Sequence, residues 1–233
     1  MHSNSVFLIS LSLLAGVATG VNATPAKKVE ITYELSRNGM AIAESVEGLE
    51  HDGKSYSISA KLKGKGLLSL RGDATRTSRG AIGPDGLKPA EFEDRRSGRD
   101  PARARFDWRA KTLTLQSKEG ASETKPLPVD AHDRLSFQYS FAFRAPGKTP
   151  IGFSVTDGKG VATSVYEPAG TEVLKTPAGD FETLKLVRRK NSPDDRSTEI
   201  WLAAKRSFLL LRVLVVEKDG TRNDQIATRI VEQ

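Results

Sequence analysis

The sequence predicts a mainly β fold, an antiparallel sheet of ten or more strands that must curl or split into layers to bury a face. Three observations carry this. Apolar and polar residues alternate in run after run, the period of a half-buried strand. The runs are separated by Asn-Gly, Asp-Gly and Gly-Pro-Asp-Gly turn signals at short intervals. The chain of 233 residues is 37% hydrophobic and 28% charged, in the globular range, and its 20 Gly and 11 Pro are spread out as punctuation rather than gathered in a linker.

The first 23 residues stand apart. Val6-Phe7-Leu8-Ile9 through Leu14-Ala15-Gly16-Val17 is an uncharged apolar run followed by small residues, the shape of a secretory signal peptide, although Met1-His2-Ser3-Asn4-Ser5 lacks the usual leading positive charge. Val21 and Ala23 stand at the −3 and −1 positions of a cleavage site, so residues 1–23 are expected to be removed and 24–233 to form a single β-rich domain. The apolar run is shorter than the roughly 20 residues of a spanning helix, and no later segment approaches that length, so no transmembrane span is expected after cleavage.

Val29, Ile31, Tyr33 and Leu35 share one face of a first strand, opposite Glu30, Thr32 and Glu34. Asn38-Gly39 turns the chain into a returning strand through Met40, Ile42 and Val46. Asp52-Gly53 repeats the signal, and Tyr56, Ile58, Ala60 and Leu62 alternate with serines and Lys61. The strand pattern continues at Leu68 and Leu70, crosses a turn at Gly83-Pro84-Asp85-Gly86, and resumes at Ala104, Phe106 and Trp108 and at Leu113 and Leu115. In the second half, strands fall at Ile151 to Val155, Val161 to Tyr166, Phe181 to Val187, Ile200 to Leu202, Phe208 to Val216 and Ile226 to Ile230.

One segment is ambiguous. Leu135, Phe137, Tyr139, Phe141 and Phe143 alternate as a strand would. As a helix capped by Asp130, the same segment puts Leu135, Tyr139 and Ala142 on one side with Phe137 and Phe141 adjacent. Such a helix is apolar around most of its circumference and is stable only when enclosed.

Several landmarks together carry a resemblance: Gly86-Leu87-Lys88-Pro89 followed by Phe92, Phe106-Asp107-Trp108, Asp133-Arg134-Leu135-Ser136, Gly170-Thr171-Glu172, Thr176-Pro177-Ala178-Gly179-Asp180-Phe181 and Glu199-Ile200-Trp201-Leu202-Ala203. As a set they resemble the bacterial domain of unknown function 3108 family over nearly all of residues 24–233. The resemblance implies an exported β-rich protein with no assigned activity and a short helix near 131–143, hence a strongly curved sheet, half-barrel or sandwich enclosing it. That picture is also similar in general form to the periplasmic carriers of outer-membrane lipoproteins. One departure is visible: where a proline is expected near the start of the strand after Trp201-Leu202-Ala203, Phe208-Leu209-Leu210-Leu211 has none.

Chemistry-bearing motifs are sparse. With no Cys there is no disulfide, thiol nucleophile or lipid-attachment cysteine, which suits a bacterial periplasmic protein whose core suffices alone. His51 and His132 have no metal-type spacing, and His132 reads as a polar first-turn residue. Gly64-Lys65-Gly66 and Gly158-Lys159-Gly160 read as turns rather than phosphate cradles. No Gly-x-Ser-x-Gly elbow is present, and no catalytic residue, cofactor site or metal site is assigned. Trp108 and Trp201 read as core anchors.

The net charge of +7 lies wholly beyond residue 23 and suits an anionic neighbour; in a periplasm that means lipid, lipopolysaccharide or peptidoglycan rather than nucleic acid. Arg95, Arg96, Arg99 and Arg103 form the densest cationic feature and are the candidate anion-binding residues, interleaved with Asp94, Asp100 and Asp107. The leading reading is a monomeric, non-enzymatic periplasmic protein that binds or carries an apolar or anionic envelope ligand of the lipid or lipoprotein class. The alternative is a structural or interaction protein seated on peptidoglycan or lipopolysaccharide through its basic surface, and a hydrolase ranks third. An open cavity on the concave side favours a carrier; a hollow filled by Phe137 and Phe141 favours a surface-acting protein.

Overall fold

The structure is a computed structural model that describes residues 24–118, 121–192 and 195–233. The apolar leader over 1–23, with its cleavage point after Ala23, lies outside the described residues. Fifteen strands are β1 (Lys28–Arg37), β2 (Met40–His51), β3 (Ser55–Gly64), β4 (Ala74–Gly83), β5 (Gly86–Arg96), β6 (Ala102–Asp107), β7 (Thr112–Lys118), β8 (Ala121–Pro126), β9 (Ala131–Asp133), β10 (Ile151–Thr156), β11 (Val161–Thr176), β12 (Gly179–Arg188), β13 (Ser197–Ala203), β14 (Leu209–Val216) and β15 (Arg222–Glu232). A helix, α1 (Arg134–Phe143), lies between β9 and β10. No helix among the described residues is long and apolar enough to cross a membrane.

The strands form one open sheet in the order β8-β7-β6-β5-β4-β3-β2-β1-β15-β14-β13-β12-β11-β10-β9. Two meanders therefore meet at a central seam, where the first and last strands pair and Lys28 and Gln233 exchange backbone hydrogen bonds of 3.0 and 2.8 Å. Every pairing is antiparallel except β9 on β10. The sheet curls strongly, because α1 touches both β5 and β14, strands six places apart, and β5 also meets the edge strand β9. Register shifts at Thr32/Tyr33, Leu35/Ser36, Arg79/Gly80, Pro168/Thr171 and Trp201/Leu202 supply local bends. The turn after β10 leans on β6: a Cβ on Gly158 (φ +86°) would sit 2.9 Å from the backbone of Ala102, so only glycine allows this approach.

The expected helix is present and enclosed. Leu135, Tyr139 and Ala142 pack into the larger apolar cluster with Ile31, Tyr33, Ile58 and Phe92, while Phe141 and Phe137 join Phe153, Tyr166, Leu186 and Leu202. The Phe137 ring stands 5.0 Å from Phe153 and 5.6 Å from Phe141, edge to face, so aromatic rings fill this side of the hollow. The cap is Asp133, not Asp130. Its Oδ1 accepts from the N–H groups of Leu135 and Ser136 at 2.9 Å, and Ser136 Oγ accepts from the Asp133 N–H at 3.0 Å. Asp130 precedes a short parallel strand that the sequence does not announce.

Three expectations are corrected. Leu68 and Leu70 lie on a 3-10 helix (Gly66–Arg71) rather than a strand, because Gly66 at φ +57° turns the chain off the ladder. On β2 the buried face is Ala43, Ser45, Glu47 and Leu49, and Val46 points outward. The bulge at Leu35/Ser36 sets that face. His132 is buried on β9, edge-on to Phe153, rather than a polar first-turn residue. The missing proline also has a cause: Ser207 and Phe208 adopt φ +46° and +51° in the turn before β14, which a proline ring cannot reach.

Candidate functional site

With rings filling the hollow beside α1, a concave and partly apolar site lies at the C-terminal end of that helix. It is a cleft of about 560 Å³, within the range of small-molecule sites. Its apolar wall comes from Leu87 at the start of β5, Trp108 in the β6–β7 turn, Leu127, and Ile151 and Phe153 of β10. Trp108 is half-buried, oriented by a 2.6 Å hydrogen bond from its indole N–H to the Pro89 carbonyl. Val129, 89% exposed, stands at the mouth. Three cations border the cleft, Lys88, Lys111 and Arg144, against two acids, Asp85 and Asp130; Arg144 and Asp130 pair at 3.8 Å.

His132 also lines the cleft. Burial, helped by the Arg144 charge, holds its pKa down at about 4, so its ring is neutral in ordinary buffers and contributes shape and a polar nitrogen rather than charge. Its Nδ1 lies 3.3 Å from Ser136 Oγ. A buried polar chain runs behind it, with Ser78 Oγ donating to Asp133 Oδ2 at 2.6 Å and Tyr56 Oη 3.2 Å from Ser78 Oγ. Asp133 and Ser136 are fully buried and serve the helix cap, so these two hold α1 in place, while His132 lines the cleft.

A second buried group was not foreseen. Glu47 is 2% exposed; its Oε1 receives only a long 3.4 Å contact from Ser45 Oγ and its Oε2 has no partner. Burial pushes its pKa up to about 7, against the opposing pull of Arg76, Ser45 and Arg134. Tyr139 Oη is likewise buried and unpaired, whereas Tyr33 Oη donates to the Leu210 carbonyl at 2.9 Å. Strict alternation along β2 places Glu47 inward, on one face with Ala43, Ser45 and Leu49.

The four candidate arginines are not brought together as one site. Arg95 and Arg103 share Glu93, the latter at 2.7 Å. Arg96 reaches Asp94 at 3.0 Å, and Arg76 reaches the same carboxylate at 3.2 Å. Burial pushes Asp94 up, but the Arg96 and Arg76 guanidiniums more than offset it and hold the carboxyl below its usual range. Arg99 is exposed and borders a small polar hollow of about 290 Å³ with Arg96, Asp100 and Lys159. Among the described residues no three of His, Asp and Glu converge as a metal site.

A strongly curved, barrel-like sheet around one capped helix defines the structural class. Within that class the chain belongs to the protein family of unknown function DUF3108, which matches residues 29–226. Among solved structures it is similar to a beta-barrel-like protein of domain of unknown function DUF1849 from Brucella abortus, with TM-score 0.55 and 8% identity, covering 88% of this chain and 98% of the other. It is also similar to a Bacteroides fragilis protein described as having a YmcC-like fold, with TM-score 0.41 and 12% identity over 89% of this chain and 96% of the other. Curated proteins give no match.

Proposed function

We propose that the protein is a non-enzymatic periplasmic module that binds an amphiphile of the lipid or lipoprotein class, an apolar chain bearing an anionic head. The observation that carries this reading is the cleft of about 560 Å³ beside α1, whose wall of Leu87, Trp108, Leu127, Ile151 and Phe153 suits an acyl chain. Lys88 and Lys111 at its border suit a carboxylate or phosphate head, and Arg144 adds to the field although it is shared with Asp130. Export with cleavage between Ala23 and Thr24 belongs to the same proposal, supported by the apolar leader and its Val21-x-Ala23 ending. Intact-mass measurement of periplasmic protein is expected to begin at Thr24; retention of residues 1–23 would remove that part.

The test of the cleft is fluorescence titration of the purified protein with parinaric acid. Saturable binding is expected in the parent. The Lys88→Gln/Lys111→Gln variant should bind roughly tenfold more weakly, yet bind the uncharged parinaryl alcohol as the parent does. A Leu127→Asp variant should lose both ligands. Absence of saturable binding by the parent, or unchanged binding after Leu127→Asp, defeats the proposal.

A further inference from the structure

The most exposed large apolar side chains include two that stand on the same short element. Leu67 and Leu70 are 86% and 84% exposed on the 3-10 helix between β3 and β4. In a 3-10 helix, residues three apart lie one above the other, so the two leucines form a single ridge. The helix is held in place rather than loosely displayed: the Lys65 N–H donates to the Ile42 carbonyl at 2.8 Å, and Ser69 Oγ donates to the Gly66 carbonyl at 2.7 Å. Met40, 72% exposed, begins β2 two residues before Ile42 and adds one more exposed apolar side chain near the helix.

Charge surrounds the ridge. Residues 61–72 contain Lys61, Lys63, Lys65 and Arg71 and no acid. Lys65 pairs with Glu34 at 3.0 Å and Lys61 with Asp73 at 3.7 Å, but all four side chains are at least 40% exposed. Such solvated pairs neutralise the local field only in part. Lys63 is also exposed and makes no ion pair among the described residues.

We infer that this ridge is a docking surface for an anionic phospholipid bilayer, with Leu67 and Leu70 entering the boundary between head groups and acyl chains and the flanking lysines resting on the phosphates. Exposed apolar residues framed by cations are the composition of an interfacial anchor. A second copy of the chain is a poorer occupant. A two-fold contact through the ridge would place the lysines of each copy against those of the other, and two leucines are far too little surface for a stable dimer. The ridge is built from other residues than the cleft of the proposed function, so either can fail without the other.

The experiment is co-sedimentation of purified protein with vesicles of phosphatidylethanolamine and phosphatidylglycerol. The parent is expected to sediment with them, more weakly with phosphatidylcholine alone and more weakly as salt rises. The Leu67→Ser/Leu70→Ser variant should partition roughly a hundredfold less, as the loss of two buried leucines implies, with an unchanged melting temperature because neither side chain is in the core. A Leu67→Trp variant should shift its emission to the blue on adding vesicles. The inference is overturned if the parent ignores the vesicles or if the double serine variant sediments like the parent. It is equally overturned if the ridge instead drives a concentration-dependent dimer that the double variant abolishes.

Discussion

Glu47 gives the sharpest test of the buried architecture, through Glu47→Gln. The folded carboxyl titrates at about 7 against an ordinary value of 4.5. The folded state therefore holds a proton that the unfolded chain releases above about pH 4.5, and stability must fall as pH rises from there to about 7. At ~1.36 kcal/mol per pKa unit, this shift amounts to about 3 kcal/mol across the window. His132 works in the opposite sense. Its folded pKa of about 4 lies below the ordinary 6.5, so stability is lost as pH falls from about 6.5 to about 4, by a similar amount. The two slopes oppose each other between about pH 4.5 and 6.5 and mask one another in the parent. Glu47→Gln removes one of them. Urea melts followed by tryptophan fluorescence from pH 4 to 8 should show the variant gaining on the parent by about 3 kcal/mol between pH 4.5 and 7. Curves that stay parallel over that range would refute a carboxyl that is buried without a partner.

Trp201 is 4% exposed, with Lys185 and Arg212 cations over its ring at 4.9 and 5.0 Å, so Trp201→Ala should cost about 3–5 kcal/mol in urea melts; a loss below about 1 kcal/mol would mean the ring is dispensable to the core. Gly53→Ala and Gly158→Ala share φ +86°, but only Gly158 meets backbone within 4 Å. The first should cost about 1–2 kcal/mol and the second at least roughly twice as much, judged by thermal melts; equal costs would mean the β10–β11 turn does not press on β6. Arg76→Gln/Arg96→Gln strips both cations from Asp94, whose side chain is 5% exposed, and should destabilise by about 3–5 kcal/mol at pH 7. That loss should shrink as pH falls, because burial without the two cations raises the stranded carboxyl above its ordinary value and lets it take up a proton; a pH-independent loss would place the cause elsewhere.

Much of the fold was legible because local signals agreed with tertiary needs. Asp52-Gly53 turns as read, with Asp52 Oδ1 accepting from the Lys54 and Ser55 N–H groups. The helical face of Leu135, Tyr139 and Ala142 was visible, but its priority over the strand pattern depended on enclosure, which periodicity does not contain. The β2 face was hidden because a bulge on β1 sets it and because its members include Ser45 and Glu47. The arginine cluster divides for a geometric reason: neighbours along a strand point to opposite faces, so Arg95 and Arg96 reach different carboxylates. The cleft escaped detection because its cations, Lys88, Lys111 and Arg144, are isolated in sequence and meet only through the curl of the sheet.

The central seam between β1 and β15 has a consequence for biogenesis. In most sheets the chain ends sit at the margins and can fray without loss of the rest. Here the two margins, β8 and β9, are mid-chain, and the two ends are zipped together at the middle. A nascent chain can form most of either meander by local hairpins, but the sheet is not continuous across the seam until the eleven-residue strand Arg222–Glu232 has emerged. Deleting that strand would therefore cut the sheet into two shorter ones with fresh unpaired borders, a species prone to aggregate rather than a slightly shortened protein.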